Sequence, residues 1–507
     1  MKQFFLFLLC LSALSPAFSQ VAYEQRLEIE LKDGFTNEQI LPLGDKGFLM
    51  RSHSEKKENF EKEWRYEFFD ANMKSQGFQR LQLNKKYIIR DSYTLDHINY
   101  SLFLHKKTGD YTLLSLDTET REKHQIEGKL GRKHWVKDMK IMGDYAFMSA
   151  SGQKRAYIHV RHLQTEDSKF IPIQIAGIAQ KRIRIESLQL MEESKEVFVY
   201  IQAQINKKTA DTYMLKLDER GEKKSLIKLS ESSGRMLKGA SASRTEKGEL
   251  ILTGTYARKY GSESEGLFIA SYEEDEENFI RFYKFDELEN FFNYLSPKKL
   301  AKRERKKERK AARGKELKSL YRIASHQIRE LEDGFLFLGE AYYPTYRTEC
   351  ETTTSVCPDG TTTTTTTTET VFDGFQYTHA VLAKFSFDGE LNWDRSFKMW
   401  PSSKPFTVTR FINVDESNDQ AINMVFASNN EIISKSLLYE NGLELRDKHS
   451  EQILTAYEGD QTKRSHSSLN YWYDNYYLAF GTQKIKNKVD PEVQRKRRVF
   501  FINKVAY

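Results

Sequence analysis

The chain has 507 residues, of which 39% are hydrophobic and 30% are charged, and its formal net charge is +7. No stretch after residue 20 contains the roughly 20 apolar residues that a transmembrane helix needs, which excludes an integral helical membrane protein. The sequence also lacks the H-E-x-x-H, Walker, G-x-S-x-G and EF-hand signatures. We therefore assign no cofactor and no metal site, and the catalytic residues, if any, stay unknown.

The chain begins with a segment typical of a secretory signal peptide. The stretch "MKQFFLFLLCLSALSPAFSQ" has an early lysine, an apolar run over 4–14 and the small-x-small ending Ala17, Phe18 and Ser19. This layout predicts a signal peptide over residues 1–19 that is cleaved near Ser19. We expect the mature chain, residues 20–507, to be exported to the periplasm or secreted, and to be a monomer.

Eight similar units follow, each with alternating apolar and polar residues and an Asp or Asn with Gly between runs. This alternation predicts half-buried strands joined by tight turns. The most apolar strands of the units, with the number of the first residue, are KGFLMRSHS (46), YSLFLH (100), DYAFMSASG (144), EVFVYIQAQ (196), KGELILTGTY (247), DGFLFLGEAYY (333), QAINMVFASNN (420) and YYLAFGTQ (476). Each of these strands is followed by a second strand, a turn and a third strand. With the apolar stretch before it, a unit therefore has four strands in roughly 50 residues, which is the period of a β-propeller blade.

The sixth unit, "DGFLFLGEA" followed by "AVLAKFSFDGELNWDRSF", resembles the repeat of secreted bacterial β-propellers. Their blades read roughly Asp-Gly-Gly-Tyr-Ile-Val-Ala-Gly, then Tyr-Leu-Ile-Lys-Leu-Asp-x-Asn-Gly-Asn-Leu-Leu-Trp. The resemblance implies an exported binding or scaffolding propeller, because that family is defined by its fold and not by a reaction.

The two ends of the chain predict how the ring of blades closes. The segment "RLEIEL" (26–31) is a strand without a unit, and the last unit ends on "RVFFINKVAY" (498–507) without a fourth strand. We predict that the strand at 27–31 pairs with the strand at 499–505, which leaves no open sheet edge. The fold class is therefore an all-β propeller of seven or eight four-stranded blades, with eight favoured, and it forms a single domain.

An inserted charged helical segment, residues 286–319, holds the basicity of the chain. Residues 298–318 contain twelve Lys or Arg and three Glu, a charge of +9, so the remainder carries 7 − 9 = −2. The composition predicts a helix. The helix is either a solvated projecting arm or a contact for an anionic surface such as lipid, lipopolysaccharide or acidic glycan. The candidate contacts are Lys302, Arg303, Arg305, Lys306, Lys307, Arg309, Lys310 and Arg313. Nucleic acid is disfavoured, because no aromatic residues are interleaved with these cations.

A second insertion, the Cys/Thr-rich loop of residues 344–376, contains "CETTTSVCPDGTTTTTTTTET". In an oxidising compartment, Cys350 and Cys357 are expected to form a disulfide, with two free thiols as the alternative. The threonine run is an extended low-complexity loop, an O-glycosylated tract or a β-hairpin extension. Because strand direction alternates within a blade, we predict that both insertions project side by side from one face of the ring.

Two classes of function follow from the sequence. The favoured one is an exported binding or scaffold propeller that recognises a protein, a glycan or an envelope surface. The alternative is a glycan hydrolase or lyase whose carboxylates come from separate blades and so leave no local motif. Trp135, Trp393, Trp400 and Trp472 are either sugar-stacking rings or parts of the blade packing.

Overall fold

Antiparallel strands account for most of the chain. A computed structural model describes residues 22–31, 35–54, 60–229, 234–356, 362–415 and 420–506. The predicted signal peptide and Cys357 lie outside these residues. The eight strand segments predicted from the sequence units all form strands. The chain is thus nearly all β, as predicted, with many four-stranded antiparallel sheets of a propeller-like architecture.

The first half of the chain builds four sheets, numbered in chain order after strand β1 (Ala22–Glu30). Sheet 1 contains β2 (Phe35–Pro42), β3 (Phe48–Ser54), β4 (Glu61–Phe69) and β5 (Ser75–Asn84). Sheet 2 contains β6 (Tyr87–Leu95), β7 (Ile98–His105), β8 (Asp110–Asp117) and β9 (Lys123–Lys129). Sheet 3 contains β10 (Trp135–Met142), β11 (Tyr145–Gly152), β12 (Arg155–His162) and β13 (Ser168–Pro172). After a 3-10 turn at Gln180–Arg182, sheet 4 contains β14 (Ile183–Met191), β15 (Glu196–Gln204), β16 (Ala210–Asp218) and β17 (Lys223–Leu229).

The second half builds four more sheets and contains helix α1 (Pro297–Ala311), the one α-helix among the described residues. Sheet 5 contains β18 (Met236–Arg244), β19 (Leu250–Ala257), β20 (Gly266–Glu273) and β21 (Glu276–Lys284). Sheet 6 contains β22 (Arg322–Ser325), β23 (Arg329–Leu331), β24 (Gly334–Val356), β25 (Thr362–Phe385) and β26 (Leu391–Lys398). Sheet 7 contains β27 (Asn413–Asp415), β28 (Ala421–Ser428), β29 (Glu431–Leu438) and β30 (Glu444–Gln452). Sheet 8 contains β31 (Asp460–Tyr473), β32 (Tyr476–Asn487), β33 (Lys496–Ala506) and, at its edge, β1.

The pairing of β1 with β33 confirms the strand pairing predicted from the two ends of the chain. The strands are antiparallel, and Leu27 lies opposite Ile502 while Glu30 lies opposite Val499. Leu27 and Ile29 are partly buried against the core that sheet 8 shares with sheet 1. The first strand of the described chain thus completes the sheet formed by its last strands.

Apolar side chains from neighbouring sheets form shared cores. Trp64 of sheet 1 packs on Phe103 of sheet 2, with ring centroids 5.0 Å apart. Similar cores join each later sheet to the next one in the chain. Another core joins sheet 8 back to sheet 1, where Trp472 meets Phe48 at 5.8 Å and donates a hydrogen bond from Nε1 to the Gly47 carbonyl. Burial of this kind supplies the main favourable free energy of folding.

The first strands of several sheets are joined side by side through polar groups. A β-bulge precedes Asp91 on β6 and another precedes Asp138 on β10. The Asp91 carboxylate accepts a hydrogen bond of 2.8 Å from the Met139 N–H of the next sheet. The Asp138 carboxylate accepts one of 2.9 Å from the Leu188 N–H of sheet 4. A bulge leaves backbone groups unpaired within its own sheet, and these carboxylates satisfy backbone donors across the gap.

Both insertions lie at the same end of the sheets. We call this end the insertion face: it is where the first strand of each sheet begins and the second strand ends. Helix α1 joins β21 to β22, and the second insertion joins β24 to β25. Strand β22 pairs with β24 only over 339–342, and β26 pairs with β25 only over 379–385. Beyond these residues, the two long strands pair with each other as a two-stranded ribbon, which we call the Thr ribbon (343–356 and 362–377).

Candidate ligand-binding site

Seven of the eight cations predicted as anionic contacts lie on helix α1, and Arg313 follows its end. The helix has Pro297 in its first turn, a position that favours proline. Six of the eight cations are exposed: Lys302, Arg305, Lys306, Lys307, Arg309 and Arg313. Lys310 is half-buried. These side chains form a cationic surface over the helix, as the composition of the segment indicates.

Arg303 differs from the other cations of α1, because it points toward the sheets. Its guanidinium forms an ion pair with Asp286 and donates a hydrogen bond of 3.2 Å to Ser319 Oγ. It also lies 3.4 Å from the centre of the Phe292 ring. Leu300, one turn earlier, packs on the core between sheets 5 and 6. The helix is therefore docked on the sheets by one apolar and one charged side chain. Arg303 holds the helix and is not a free contact for a partner.

The described part of the Cys/Thr insertion is a β-ribbon, which agrees with the hairpin alternative and not with a loop. Cys350 is exposed and lies opposite Thr368, and Thr352 lies opposite Thr366. The bridge to Cys357 lies outside the described residues and stays a prediction.

The bases of the two insertions meet at His379 on β25. Its ring stacks on Tyr294, which precedes α1, with ring centroids 3.6 Å apart, and Tyr321, which follows α1, contacts the same ring edge-on at 5.4 Å. The Tyr294 and Tyr321 hydroxyls are 3.0 Å apart. Burial lowers the pKa of His379 to about 3. The predicted side-by-side placement of the two insertions is thus confirmed at their bases.

A large cavity lies along the first strands. Its volume is about 1100 Å³, and it is lined by 186–191 of β14 and by most of 238–244 of β18, as well as by β10 and β22. The lining residues at the insertion face include Lys137, Glu186, Lys238, Arg322 and Arg410. Those at the opposite end include Glu192, Glu193 and Arg244. The cavity therefore extends along the first strands from the insertion face to the opposite end of the sheets, and we call it the channel.

Several charges of the channel are paired with neighbours. Lys137 lies 3.9 Å from Glu186, Arg244 lies 3.1 Å from Glu196, and Arg322 lies 3.5 Å from Glu263. The Lys238 ammonium donates a hydrogen bond of 2.8 Å to the Ser262 carbonyl, and burial lowers the pKa of Lys238. A lining of paired charges, hydroxyls and backbone groups suits a polar ligand better than an apolar one.

The channel residues were not identified from the sequence. They come from first strands and connections spread between Tyr93 and Arg410, so no local motif marks them. Of the four tryptophans considered, Trp393 and Trp472 are buried, and their indole N–H groups donate to the carbonyls of Tyr439 and Gly47. Trp135 and Trp400 are exposed. The described residues contain no cluster of His, Cys, Asp or Glu that could hold a metal ion. In the same part of the chain, no helix is long and apolar enough to cross a membrane.

Comparisons with known proteins support the fold alone. No protein-family model and no curated protein sequence matches the chain. Similar solved structures include a prolyl endopeptidase (10% identity, TM-score 0.38, covering 90% of this chain and 55% of that chain) and the tricorn protease (10%, 0.36, 85% and 36%). A third is the Pseudomonas aeruginosa periplasmic gluconolactonase (9%, 0.34, 83% and 96%). The chain thus spans about half or less of the first two proteins. At these identities and TM-scores, the similarities carry no argument about substrate or reaction.

Proposed function

We propose that this chain is an exported binding propeller of eight blades, whose ligand enters the channel from the insertion face. The closed ring is supported by the shared core between Trp472 of sheet 8 and Phe48 of sheet 1, and by the pairing of β1 with β33. Propellers that close in this way leave few free sheet edges, and their central channel is a natural ligand site.

The observation that carries the proposal is the channel itself. Its volume of about 1100 Å³ is at the upper end of ordinary ligand sites, which hold roughly 300 to 1,000 Å³. It is lined by hydroxyl, amide and paired charged groups such as Ser187, Gln189, Ser243 and Lys140. Such a lining offers many hydrogen bonds along a long path. A glycan chain or a polar protein loop fits this description.

The placement of its carboxylates favours binding over glycoside hydrolysis. Glu186 lies at the insertion end of the channel, and Glu192 lies just beyond the other end of the same strand, β14. Six extended residues separate them by roughly 20 Å. Glycoside hydrolases need two carboxylates roughly 5 to 10 Å apart. Glu186 is therefore too far from Glu192 and the adjacent Glu193 to form such a pair with either of them.

The two insertions give the channel entrance its specificity. Phe375 of the Thr ribbon and Tyr342 at its base line the channel, and so does Arg322, which follows α1 in the chain. A ligand that enters from this face therefore passes the docked helix and the ribbon. We propose that these elements recognise the part of the ligand that stays outside the channel, on a protein, glycan or envelope surface.

Channel-filling variants test the proposal. Ser187→Trp and Ser243→Trp each place an indole in the channel, whereas Ser168→Trp on the exposed outermost strand of sheet 3 is the matched control. A glycan array and a pull-down from the native envelope identify what the wild-type chain binds. We expect both channel variants to lose that ligand while keeping the wild-type melting temperature, and the control to retain it. Retention of the ligand by both folded channel variants would contradict the proposal.

A further inference from the structure

A strongly basic groove lies on the insertion face between sheets 3 and 4. Two adjoining cavities of about 530 and 370 Å³ form it, and both are lined by Lys154 and Lys181. The larger cavity adds Lys133, Lys137, Arg155 and Arg184, and the smaller one adds Arg182 and Lys207. Glu186 is the only carboxylate among the residues that line the two cavities. We call this feature the basic groove.

Most of these cations form no ion pair within the part of the chain that the structure describes. Among the described residues that line the groove, only Lys137 has one, at 3.9 Å from Glu186. The Arg182 guanidinium donates 3.0 Å to the Ile205 carbonyl, and Arg184 lies over the ring of Tyr260 at 5.9 Å. By contrast, several cations of the channel form ion pairs, such as Arg244 with Glu196 and Arg322 with Glu263. Like charges brought together without partners repel, so this arrangement is stabilised when an anion binds.

Trp135 gives the groove an aromatic platform. Its indole is 42% exposed and lines the larger cavity. The Arg90 guanidinium lies 4.7 Å from the indole centre and is itself fixed by two hydrogen bonds to the Val136 carbonyl. The indole is therefore held in one orientation before any ligand arrives. A preorganised ring loses little conformational entropy on binding.

We infer that the basic groove binds an acidic oligosaccharide, with its carboxylates on the unpaired cations and one sugar ring on Trp135. Single lysines such as Lys133, Lys154 and Lys181 suit carboxylates spaced along a chain, because each ammonium is a point charge with freely turning donors. A sugar ring presents C–H groups to an indole face. An acidic oligosaccharide can therefore place one sugar ring on Trp135 and its carboxylates on the lysines spaced along the groove.

Two features of the groove disfavour single-stranded nucleic acid. Binding of that kind uses successive aromatic side chains, one for each stacked base. Among the residues that line the two cavities, Trp135 is the only aromatic one. The cations also come from several connections and strand ends along the edge of two sheets, from Lys133 to Lys207, and not from a single phosphate-binding loop.

The groove leads into the channel, because Lys137 and Glu186 line both. The inference therefore rests on the proposed binding function and names the chemistry of its ligand. An acidic chain lying in the groove would direct its end past Lys137 into the channel. The unpaired charge is concentrated outside the channel entrance, where it also speeds the encounter with an anionic ligand.

Hexagalacturonate, measured against the neutral maltohexaose by titration calorimetry, tests the inference. We expect hexagalacturonate to bind and its affinity to fall as the salt concentration rises from about 50 to 200 mM. The double variant Lys154→Gln/Lys181→Gln should raise its Kd about tenfold. The variant Lys74→Gln/Lys247→Gln removes the same charge from exposed turns on the opposite face and should change the Kd less than twofold.

Fluorescence supplies a readout that general electrostatic attraction would not move. Binding should change the emission of the wild-type chain and of Trp400→Phe, but not that of Trp135→Phe. Three results would overturn the inference: equal binding of maltohexaose, an equal loss in the opposite-face variant, or tighter binding of a single-stranded oligonucleotide that ignores Trp135. If hexagalacturonate does not bind, while the ligand found by array or pull-down binds the wild-type chain and not Ser187→Trp, the groove inference is wrong and the proposed function stands.

Discussion

The Tyr294 ring lies flat on the His379 imidazole, with an interplanar angle of 3° and 3.6 Å between ring centroids. Tyr294 lies in the insertion that contains α1, and His379 lies on β25 at the base of the Thr ribbon. The His379 Nδ1 atom is 2.8 Å from Thr378 Oγ1, and its Nε2 atom is buried without a hydrogen-bond partner among the described residues. Since none of these residues offers a charged imidazolium an acidic partner, the packing favours the neutral form.

This packing predicts loss of stability in acid. His379 has a pKa of about 3 in the folded chain and about 6.5 when unfolded. Below pH 6.5 the unfolded state binds a proton that the folded state does not, so the contribution of His379 is complete above pH 6.5 and is lost as the pH falls toward 3. At pH 4.5 the loss should be about 2 to 3 kcal/mol.

Urea unfolding between pH 7 and 4.5 measures this effect, and His379→Phe is the informative variant. Phenylalanine keeps the stack on Tyr294 but cannot take up a proton, so the pH dependence should flatten by about the amount above. Part of the pH dependence should remain in this variant because of His159. Burial lowers the pKa of His159 to about 4. An unchanged slope in His379→Phe would show that this imidazole is not the group responsible.

Removal of β1 should destabilise the whole chain. Leu27, Ile29 and Leu31 are partly buried in the core between sheets 8 and 1, and burial of each such side chain contributes about 1.5 to 3 kcal/mol when complete. Deletion of residues 20–31 should therefore lower the melting temperature of the mature chain by several degrees, because it also opens an edge of β33. Calorimetry measures the shift. Leu27→Ala/Ile29→Ala should show a smaller loss and Glu30→Ala, at an exposed position, almost none; a normal melting temperature after the deletion would count against ring closure.

The carboxylate of Asp138 should matter more for folding than its position on a polar strand suggests. It accepts the Leu188 N–H across the gap between sheets 3 and 4, and a buried donor left without a partner costs about 1 to 3 kcal/mol. Asp138→Ala should lose stability of this size in denaturant unfolding. Asp138→Asn retains an oxygen acceptor and should lose less. Equal losses in the two variants would mean that the contact does not depend on the acceptor.

The sequence predicted the strands of this fold because their determinants are local. Alternating apolar residues and Asp or Asn turns identify each strand without knowledge of its neighbours, and Asp218 illustrates the rule by accepting the N–H groups of Arg220 and Glu222 in one such turn. The pairing of β1 was also predictable. The sequence has one extra strand before the first unit, and the last unit lacks its fourth strand.

The site was not predictable in the same way. The groove cations lie between Lys133 and Lys207 in several separate connections, and only the side-by-side position of sheets 3 and 4 brings them together. The run of cations in α1 attracted the prediction because it is contiguous in sequence. Within that run nothing distinguishes Arg303 from Arg305, because the partner that turns Arg303 inward, Asp286, lies 17 residues earlier.

The contrast between these two arginines gives a matched test of how α1 is docked. Arg303→Ala removes one half of an ion pair that is mostly shielded from solvent and leaves Asp286 without its cation, which costs about 3 kcal/mol in comparable cases. Arg305→Ala removes the same charge from the exposed side of the helix and should leave the stability of the chain unchanged. Limited proteolysis should cut Arg303→Ala between residues 297 and 313 faster than either the wild-type chain or Arg305→Ala. Equal cleavage of the two variants would show that Arg303 does not hold the helix.

Substitutions in the turn between β11 and β12 should raise the stability of the chain and lower its affinity for hexagalacturonate. Gln153 and Lys154 have φ angles of 47° and 65°, a left-handed pair that two-residue hairpin turns normally fill with Asn-Gly. Gln153→Asn/Lys154→Gly should therefore stabilise the chain by about 1 kcal/mol, measured by denaturant unfolding. Lys154 lines both cavities of the basic groove, so the same variant should bind hexagalacturonate more weakly. Gln153→Asn alone retains the lysine and should gain part of the stability with no loss of affinity. If the double variant gained stability and bound hexagalacturonate as well as the wild-type chain, Lys154 would be a strained turn residue without a role in the groove.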